Sequence, residues 1–484
     1  MVAQETSRSA SPPAADDELS WGSSTRMNAF EATMWRAEGS MHSPVLALEL
    51  LDTVPSWDRF LAAHEWAVRM VPRGRQRVVQ GPLGMGLPRW SFDPNFELSR
   101  HVARARLREG GGWPALLDEA ARLAMSPFDE TRPPWQAVLY EGLPDGRGAY
   151  LLKLHHSATD GLGVGQLLSQ LHSPRREPRP DKPQPPQRAT GQISPLGVLA
   201  HQVRDDAEAA MGLLSGAGAT AAGVLGDPVG ALRGANRYGQ SLRRVLTPPR
   251  AGGSPLLAGR GGQWRFAAMD VPLADLRAAA KSAGGTVNDA YLAGLLGGYR
   301  RYHEEMGLPV AAVPMAIPIS VRRPGDPAGG NRIAGARFSG SLATTDPRRR
   351  IQQVRDLIRS ARAEPAIDTI GLMAPALARL PGSVIAQIAG TQTRGNDLQA
   401  TFVPGARGHL HLAGAHIDRI YPFAPLPGCA AMIILVTHDD VGCVGINFDG
   451  AAFTAPTLFV RCLLEGFAEV LALHPGSAEP LART

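Results

Sequence analysis

The chain has 484 residues, 44% of them hydrophobic and 19% charged, and a formal net charge of +6 at pH 7. This length exceeds what one ordinary core holds and predicts two lobes, and the composition excludes a disordered or fibrous protein. The positive charge favours anionic ligands or surfaces, although an ordinary mixed-charge surface explains it more simply. Three cysteines without C-x-x-C spacing imply neither a disulfide framework nor a zinc site, and they suit a reducing cytoplasm.

Residues 1–24 are predicted to be a disordered tail, because they are rich in Ser, Ala, Pro and acidic residues and contain no basic stretch followed by an apolar one. Residues 25–172 are predicted to form an α+β N-terminal lobe. Its helices are expected at residues 27–35, 57–71, 113–125 and 163–171. Its strands are expected at residues 77–79, 88–92, 136–141 and 148–156.

Residues 173–262 are predicted to be a proline-rich linker followed by a crossover helix. The prolines cluster between residues 174 and 186, which favours an extended connector. Residues 209–226 carry no charge, but their many glycines leave too little apolar surface for a transmembrane span. With the arginines that follow it, this helix is compatible with a position on a membrane surface and equally with an ordinary position between the lobes.

Residues 263–484 are predicted to form the C-terminal lobe. Thr286, with Asp289 three residues later, is a capping-box pattern that marks the start of a helix. The helices of this lobe are expected at residues 273–282, 287–305, 347–362 and 456–473. The strands are expected at residues 263–271, 312–321, 432–438 and 443–448, the last two as a β-hairpin.

The most informative segment ends the predicted strand 148–156 and reads HHSATDG at residues 155–161. Successive strand residues point to opposite faces, so His155 shares a face with Lys153 while His156 points the other way. The two rings therefore cannot share one task. A histidine at a strand end that projects into a cleft suits a general base, because a neutral imidazole with a pKa near 6.5 accepts a proton at cellular pH.

Other chemistries have weaker support in the sequence. The chain contains no G-x-S-x-G nucleophile elbow and no H-E-x-x-H helix. A metal site built from His155, His156 and Asp160 is not expected, because neighbouring strand residues diverge and no other ligand cluster stands out. The sequence therefore predicts neither a metal ion nor a cofactor.

The pattern H-H-x-x-x-D-G resembles the active-site motif of the CoA-dependent acyltransferase superfamily, which includes chloramphenicol acetyltransferase and the condensation domains of peptide synthetases. Flanking blocks narrow the resemblance to the bacterial wax ester synthase/diacylglycerol acyltransferase (WS/DGAT) family. They include RQRVV at 75–79, PFDETRPPW at 127–135, GTVND at 285–289 and PISVR at 318–322. The resemblance covers roughly residues 25–475.

The resemblance implies an α+β fold of two chloramphenicol-acetyltransferase-like lobes, each a mixed sheet with flanking helices, around a central channel. It implies transfer of a fatty acyl group from acyl-CoA, a co-substrate, to a long-chain alcohol or diacylglycerol. His156 carries over as the general base, with structural or orienting roles for His155, Asp160 and Gly161. The candidates for substrate binding are Asn288, Asp289, Arg322 and Arg332. Helix capping is the alternative for the first two, and ordinary surface charge for the arginines.

The same resemblance implies a cytoplasmic protein in peripheral contact with the inner membrane or lipid droplets, with no nucleic-acid partner and with its oligomeric state left open. The chain departs from the family at Phe402, where an asparagine is usual, and at Gln136, where a glutamate is usual. These departures keep two alternatives open. One is an acyltransferase for a specialised lipid or polyketide alcohol, and the other is a catalytically weak lipid-binding homologue.

Overall fold

The computed structural model of the protein describes residues 25–159, 161–179, 191–247, 249–320, 333–364, 377–393, 395–405 and 408–483. The predicted tail 1–24, the second half of the proline-rich stretch, and the site candidates Asp160, Arg322 and Arg332 lie outside these residues. The helices within them are α1 (Ala29–Ala37), α2 (Trp57–Met70), α3 (Gly112–Met125), α4 (Gly161–Leu171), α5 (Pro195–Gly226), α6 (Pro228–Leu246), α7 (Leu273–Ser282), α8 (Val287–Glu305), α9 (Pro347–Arg362), α10 (Gly382–Thr393) and α11 (Pro456–Leu471).

The strands form two large sheets and one small one. They are β1 (Pro44–Leu51), β2 (Gln76–Val79), β3 (Arg89–Phe92), β4 (Val102–Arg106), β5 (Trp135–Glu141), β6 (Gly148–His155), β7 (His172–Ser173), β8 (Trp264–Pro272), β9 (Ala312–Ser320), β10 (Ile333–Ser341), β11 (Leu398–Val403), β12 (His411–Leu412), β13 (Ala415–Phe423), β14 (Ala431–His438), β15 (Val441–Asp449) and β16 (Leu481–Arg483). Over the described residues, the first sheet has the order β4-β5-β6-β1-β13-β12-β7 and the second β10-β9-β11-β14-β15-β8-β16, while β2 pairs with β3.

Both large sheets are mixed. In the first sheet β4 runs parallel to β5, and in the second β11 runs parallel to β9 and β14, while the remaining pairs are antiparallel. Helix α3 packs on β1 and β8, and α8 and α11 pack closely against each other beside the second sheet. The predicted α+β class with two mixed-sheet lobes is confirmed.

Strand β6 carries the HHSATDG segment and lies between β5 and β1 in the first sheet. All eight of its residues are buried, so the strand is fixed on both faces. The prediction of a strand at 148–156 is confirmed except at its last residue. Its neighbour β1 is also buried along its whole length and is not predicted, because a strand covered on both faces lacks the alternation that identifies it in a sequence.

The chain exchanges strands between the two lobes, because part of its C-terminal half joins the first sheet. Strands β12 and β13 come from the C-terminal half, yet they pair with β7 and β1 of the first sheet. Strand β13 also packs against β15, where a Cβ atom on Gly445 would overlap the carbonyl oxygen of Pro422. Only glycine permits this approach. The bounds 25–172 and 263–484 for the two lobes stay a prediction, which does not include this exchange.

The helix predictions are confirmed most closely in the second lobe. Helix α8 begins with the expected capping box, in which Thr286 Oγ1 accepts a hydrogen bond from the Asp289 N–H at 3.3 Å and Asp289 Oδ2 accepts one from the Thr286 N–H at 2.7 Å. The crossover region is helical as predicted, in α5 and α6. Within the described part of the chain, no helix combines the length and the apolar character that crossing a bilayer requires.

Candidate active site

The HHSATDG segment forms the end of β6, a tight turn and the start of α4. The Ala158 N–H donates to the His155 carbonyl oxygen over 2.9 Å and closes the turn. The His156 N–H donates to the carbonyl oxygen of Ser43, just before β1, over 2.8 Å. Gly161 is the first residue of α4. The backbone of both histidines is therefore fixed by the strand, the turn and the neighbouring strand.

His155 is buried, and both of its ring nitrogens have partners. The backbone N–H of Ser157 donates to Nδ1 over 3.0 Å, and the Ser157 hydroxyl lies 2.7 Å from the same atom. A ring nitrogen that accepts from an amide carries no proton, so the proton lies on Nε2, which donates to Glu38 Oε2 over 3.1 Å. The rings of Trp35 and Phe128 pack against it with centroid distances of 4.9 and 5.5 Å. This environment suits a positioning role.

Lys153 shares the buried face of β6 with His155, as the strand alternation predicts. Its Nζ donates to the carbonyl oxygen of Ser126 over 2.6 Å and lies 4.1 Å from the centroid of the Phe128 ring. Burial lowers the pKa of Lys153 to about 8, and the nearby carboxylate of Glu38 opposes that shift. This face of the strand therefore holds a fixed polar network within the core.

His156 follows the last residue of β6 and differs from His155 in its exposure. Its side chain is only partly buried, whereas His155 is completely buried. Its main chain is nevertheless fixed by the bond to Ser43. A partly exposed imidazole on a rigid backbone can receive a proton from a hydroxyl group that reaches it from solvent.

The other face of β6 borders an apolar cavity between the strand and helices α2 and α4. Leu152, Leu154 and the turn residue Ala158 line it. Its volume is about 40 Å³, which is too small for a long hydrocarbon chain in this conformation. His64 lies at its wall, where the Tyr150 hydroxyl donates to Nε2 over 3.1 Å. Burial lowers the pKa of His64 to about 4, so this histidine is neutral at neutral pH.

The candidates from the second lobe lie at the start of α8. Asp289 is buried, and its carboxylate is engaged in the capping box with Thr286. Asn288 is half-buried in the first turn, where unpaired backbone donors and the positive end of the helix lie. The structure thus places the histidine pair beside the first sheet and these two residues beside the second.

The two departures from the family pattern both lie on strands. Gln136 on β5 is half-buried, and its Oε1 has no hydrogen-bond partner among the residues that the structure describes. Phe402 on β11 packs against the core of the second lobe. At this position an aromatic ring therefore makes apolar contacts where the family usually has an amide.

Glu38, Ser43 and Ser157 also contact the histidine pair, and the sequence patterns above do not identify them. Glu38 caps the C-terminus of α1 and lies 117 residues before His155, so no local pattern connects the two. Ser157 is different, because a hydroxyl two residues beyond a side chain often turns back to it. That two-residue spacing is the one signal in the sequence for a contact between Ser157 and His155.

Two family models match the chain. The wax ester synthase/diacylglycerol acyltransferase catalytic domain matches residues 27–291, and the WS/DGAT C-terminal domain matches residues 329–470. The protein named "Putative diacyglycerol O-acyltransferase" from Mycobacterium tuberculosis (strain ATCC 25618 / H37Rv) is 41% identical over 440 residues. These residues cover 90% of this chain and 89% of the relative.

Two solved structures share the fold at low sequence identity. The wax ester synthase/diacylglycerol acyltransferase from Marinobacter aquaeolei VT8 has a TM-score of 0.61 at 20% identity, covering 92% of this chain and 98% of that one. The first condensation domain of the CDA synthetase has a TM-score of 0.57 at 14% identity, covering 94% and 97%. These similarities confirm the predicted fold of the chloramphenicol acetyltransferase and condensation-domain type.

Proposed function

The chain belongs to the WS/DGAT family, and on this basis we propose that it is an acyl-CoA-dependent O-acyltransferase. It esterifies long-chain alcohols, diacylglycerol or both, and it yields wax esters and triacylglycerol. Family membership supports the class of substrates. The observation that carries the reaction is the partly exposed imidazole of His156 on a fixed backbone at the end of a buried strand.

The reaction requires a base because a neutral alcohol is a poor nucleophile. A ring nitrogen of neutral His156 takes the hydroxyl proton while the alcohol oxygen attacks the thioester carbonyl carbon. The bond between that carbon and sulfur then breaks, and the imidazolium returns its proton to the departing CoA thiolate. Thiols have pKa values of about 8.5, so the leaving group needs little further help. A base of this kind accelerates a reaction by about 10²- to 10⁴-fold.

In this proposal His155 positions His156 and does not react itself. Its bonds to Ser157 and Glu38 hold the turn that carries the base. Asp160 and Gly161 orient the same turn. In the second lobe, Asn288 supplies an amide for the developing oxyanion. Asp289 fixes the start of α8 beside Asn288. Arg322 and Arg332 bind the phosphates of CoA.

The proposed location is the cytoplasmic side of a membrane or the surface of a lipid droplet. Helix α6 exposes Val229 and Leu232 together with Arg233 and Arg237. An exposed helix that combines apolar and cationic side chains binds anionic lipid surfaces. This supports peripheral contact with the phase that holds the lipid acceptor.

Purified full-length protein incubated with radiolabelled palmitoyl-CoA and either hexadecanol or diacylglycerol tests the proposed reaction. We expect labelled wax ester or triacylglycerol, separated by thin-layer chromatography, with release of free CoA in equal amount. A parallel reaction with the acyl group on a carrier protein tests the donor. The proposal fails if neither acceptor is esterified, or if ester forms only from the carrier-bound donor.

A further inference from the structure

A second group of histidines lies far along the chain from the proposed active site, where the two sheets meet. His409 precedes β12, His416 lies on β13, and Asp439 occupies the turn between β14 and β15. The rings of His409 and His416 have centroids 5.3 Å apart, and His411, directly across from His416 in the β12–β13 pair, has its ring at the same distance from it. These residues have no part in the reaction proposed above.

Three of these residues bring possible ligand atoms close together. His409, His416 and Asp439 each offer one atom, and these atoms all lie within 4.8 Å of one another. His409 Nδ1 lies 3.2 Å from His416 Nε2 and 3.8 Å from Asp439 Oδ2. Two nitrogens bound tetrahedrally to zinc, each at about 2.0–2.1 Å, are about 3.3 Å apart. The two ring nitrogens therefore already have nearly the spacing of two zinc ligands.

The surroundings orient these atoms toward one another. His416 Nδ1 donates to Asp418 Oδ1 over 2.9 Å, which leaves the lone pair of Nε2 facing His409. A carboxylate on the far nitrogen is the usual outer partner of a metal-bound histidine. Asp439 has the left-handed φ of 51°, and its Oδ1 accepts from the Gly408 N–H over 3.0 Å.

The charges and unsatisfied groups around the cluster also favour a cation. Among the described residues, no arginine or lysine lies within 4.0 Å of the Asp439 carboxylate, whereas Asp418 and Asp52, which both contact His416, pair with Arg147 and Arg176. His411 is only 9% exposed, and its buried Nδ1 has no hydrogen-bond partner within the described part of the chain. Unpartnered buried ring nitrogens are uncommon in proteins, and the ring of His411 is in contact with that of His416.

We propose that His409, His416 and Asp439 bind one divalent transition-metal ion of the zinc class. Two imidazoles and one carboxylate form a zinc-type donor set that leaves a fourth position for water. The ion would link β13 of the first sheet to the β14–β15 turn of the second. It thereby reinforces the contact made by His438 Nε2, which donates to the Ile417 carbonyl oxygen over 2.7 Å.

Calorimetric titration of the full-length, chelator-treated protein with Zn²⁺ tests this site. The variant H409Q removes one ligand whose side chain is 81% exposed, so folding is not at risk. H201Q, which alters an exposed histidine on α5, controls for non-specific binding. We expect one zinc per wild-type chain, at least tenfold weaker binding in H409Q and in Asp439→Asn, and no change in H201Q.

Thermal unfolding with and without zinc gives a second readout that does not depend on enzyme activity. Binding to the folded state raises the melting temperature of the wild type and of H201Q, but not that of H409Q. The variant H156A is expected to bind zinc as the wild type does, which separates this site from the proposed active site. The inference is overturned if the wild type binds no stoichiometric zinc, or if H409Q and Asp439→Asn bind it with unchanged affinity.

Discussion

His155 and His156 are adjacent in the chain, yet His155 is completely buried and His156 only partly, whereas His409 and His416 are seven residues apart and their ring nitrogens lie 3.2 Å from each other. Strand geometry separates the side chains of the first pair, and the pairing of β12 with β13 brings His409, which precedes β12, back to His416. The first pair therefore divides its tasks between two environments. The second pair shares one environment and suits a shared ligand.

The largest expected effect is on His156, the more exposed member of the first pair. His156→Ala is expected to lower kcat/KM for acyl transfer by about 10²- to 10⁴-fold, because it removes the general base. The free energy of unfolding of this variant should change little, since the His156 side chain is only partly buried. Initial rates with palmitoyl-CoA and hexadecanol measure the effect, with His201→Ala as the matched control. A rate within threefold of the wild type would refute the role of the base.

The buried member of the pair should act mainly on stability. His155→Gln disrupts the bonds to Ser157 and Glu38 and leaves buried polar groups unsatisfied, at a cost of about 1–3 kcal/mol in the free energy of unfolding. Urea denaturation followed by circular dichroism checks this value. Unchanged stability would show that the hydrogen bonds of His155 contribute little to the fold.

Lys153 lies on the same buried face of β6 as His155. The pH dependence of stability therefore tests the environment of that face. Its pKa falls from an ordinary 10.5 to about 8 on folding, so the unfolded chain binds more protons between these values. Stability is therefore expected to rise from pH 8 toward pH 10.5 relative to Lys153→Met, which lacks the titrating group. Paired urea titrations across this range measure it. Parallel curves for the two proteins would contradict the lowered pKa.

The smallest effect is expected at Glu38, where charge can be separated from hydrogen bonding. Its Oε2 accepts from His155 Nε2 and from the Ser43 N–H at 2.7 Å, and the amide oxygen of Glu38→Gln can accept both bonds. We expect this variant to lose less than about 1 kcal/mol of stability, whereas Glu38→Ala should lose about 1–3 kcal/mol. Equal losses in urea denaturation would show that the negative charge, rather than the acceptor, matters.

Local sequence patterns predict much of the secondary structure of this protein. The features that they do not predict arise from pairings between distant segments of the chain. Strand β6 and the capping box at Thr286 follow from neighbouring residues, and so does the opposition of the two adjacent histidines. Strand β1 was missed because it is buried on both faces. On α9, Arg350 is 1% exposed and pairs over 2.6 Å with Glu469, 119 residues away, a contact that no local pattern indicates.

The residues of the candidate sites also divide into those that a local pattern indicates and those that only the fold brings together. The motif at 155–161 is visible in the sequence because its residues are contiguous. Glu38 is not visible in this way, since only the fold brings it to His155. The sequence predicted no metal site, since His409, His416 and Asp439 match no short ligand spacing. Their proximity depends on β13 joining the first sheet while β14 and β15 stay in the second. No local rule specifies that exchange.

The most direct test of the division between the adjacent histidines is rescue by added imidazole. His156→Gly and His155→Gly would be assayed side by side, with and without imidazole, for transfer from palmitoyl-CoA to hexadecanol. Because only His156 is assigned the proton transfer, imidazole should restore part of the rate in His156→Gly and none in His155→Gly. Rescue of His155→Gly instead, or full activity of His156→Gly without imidazole, would contradict the account.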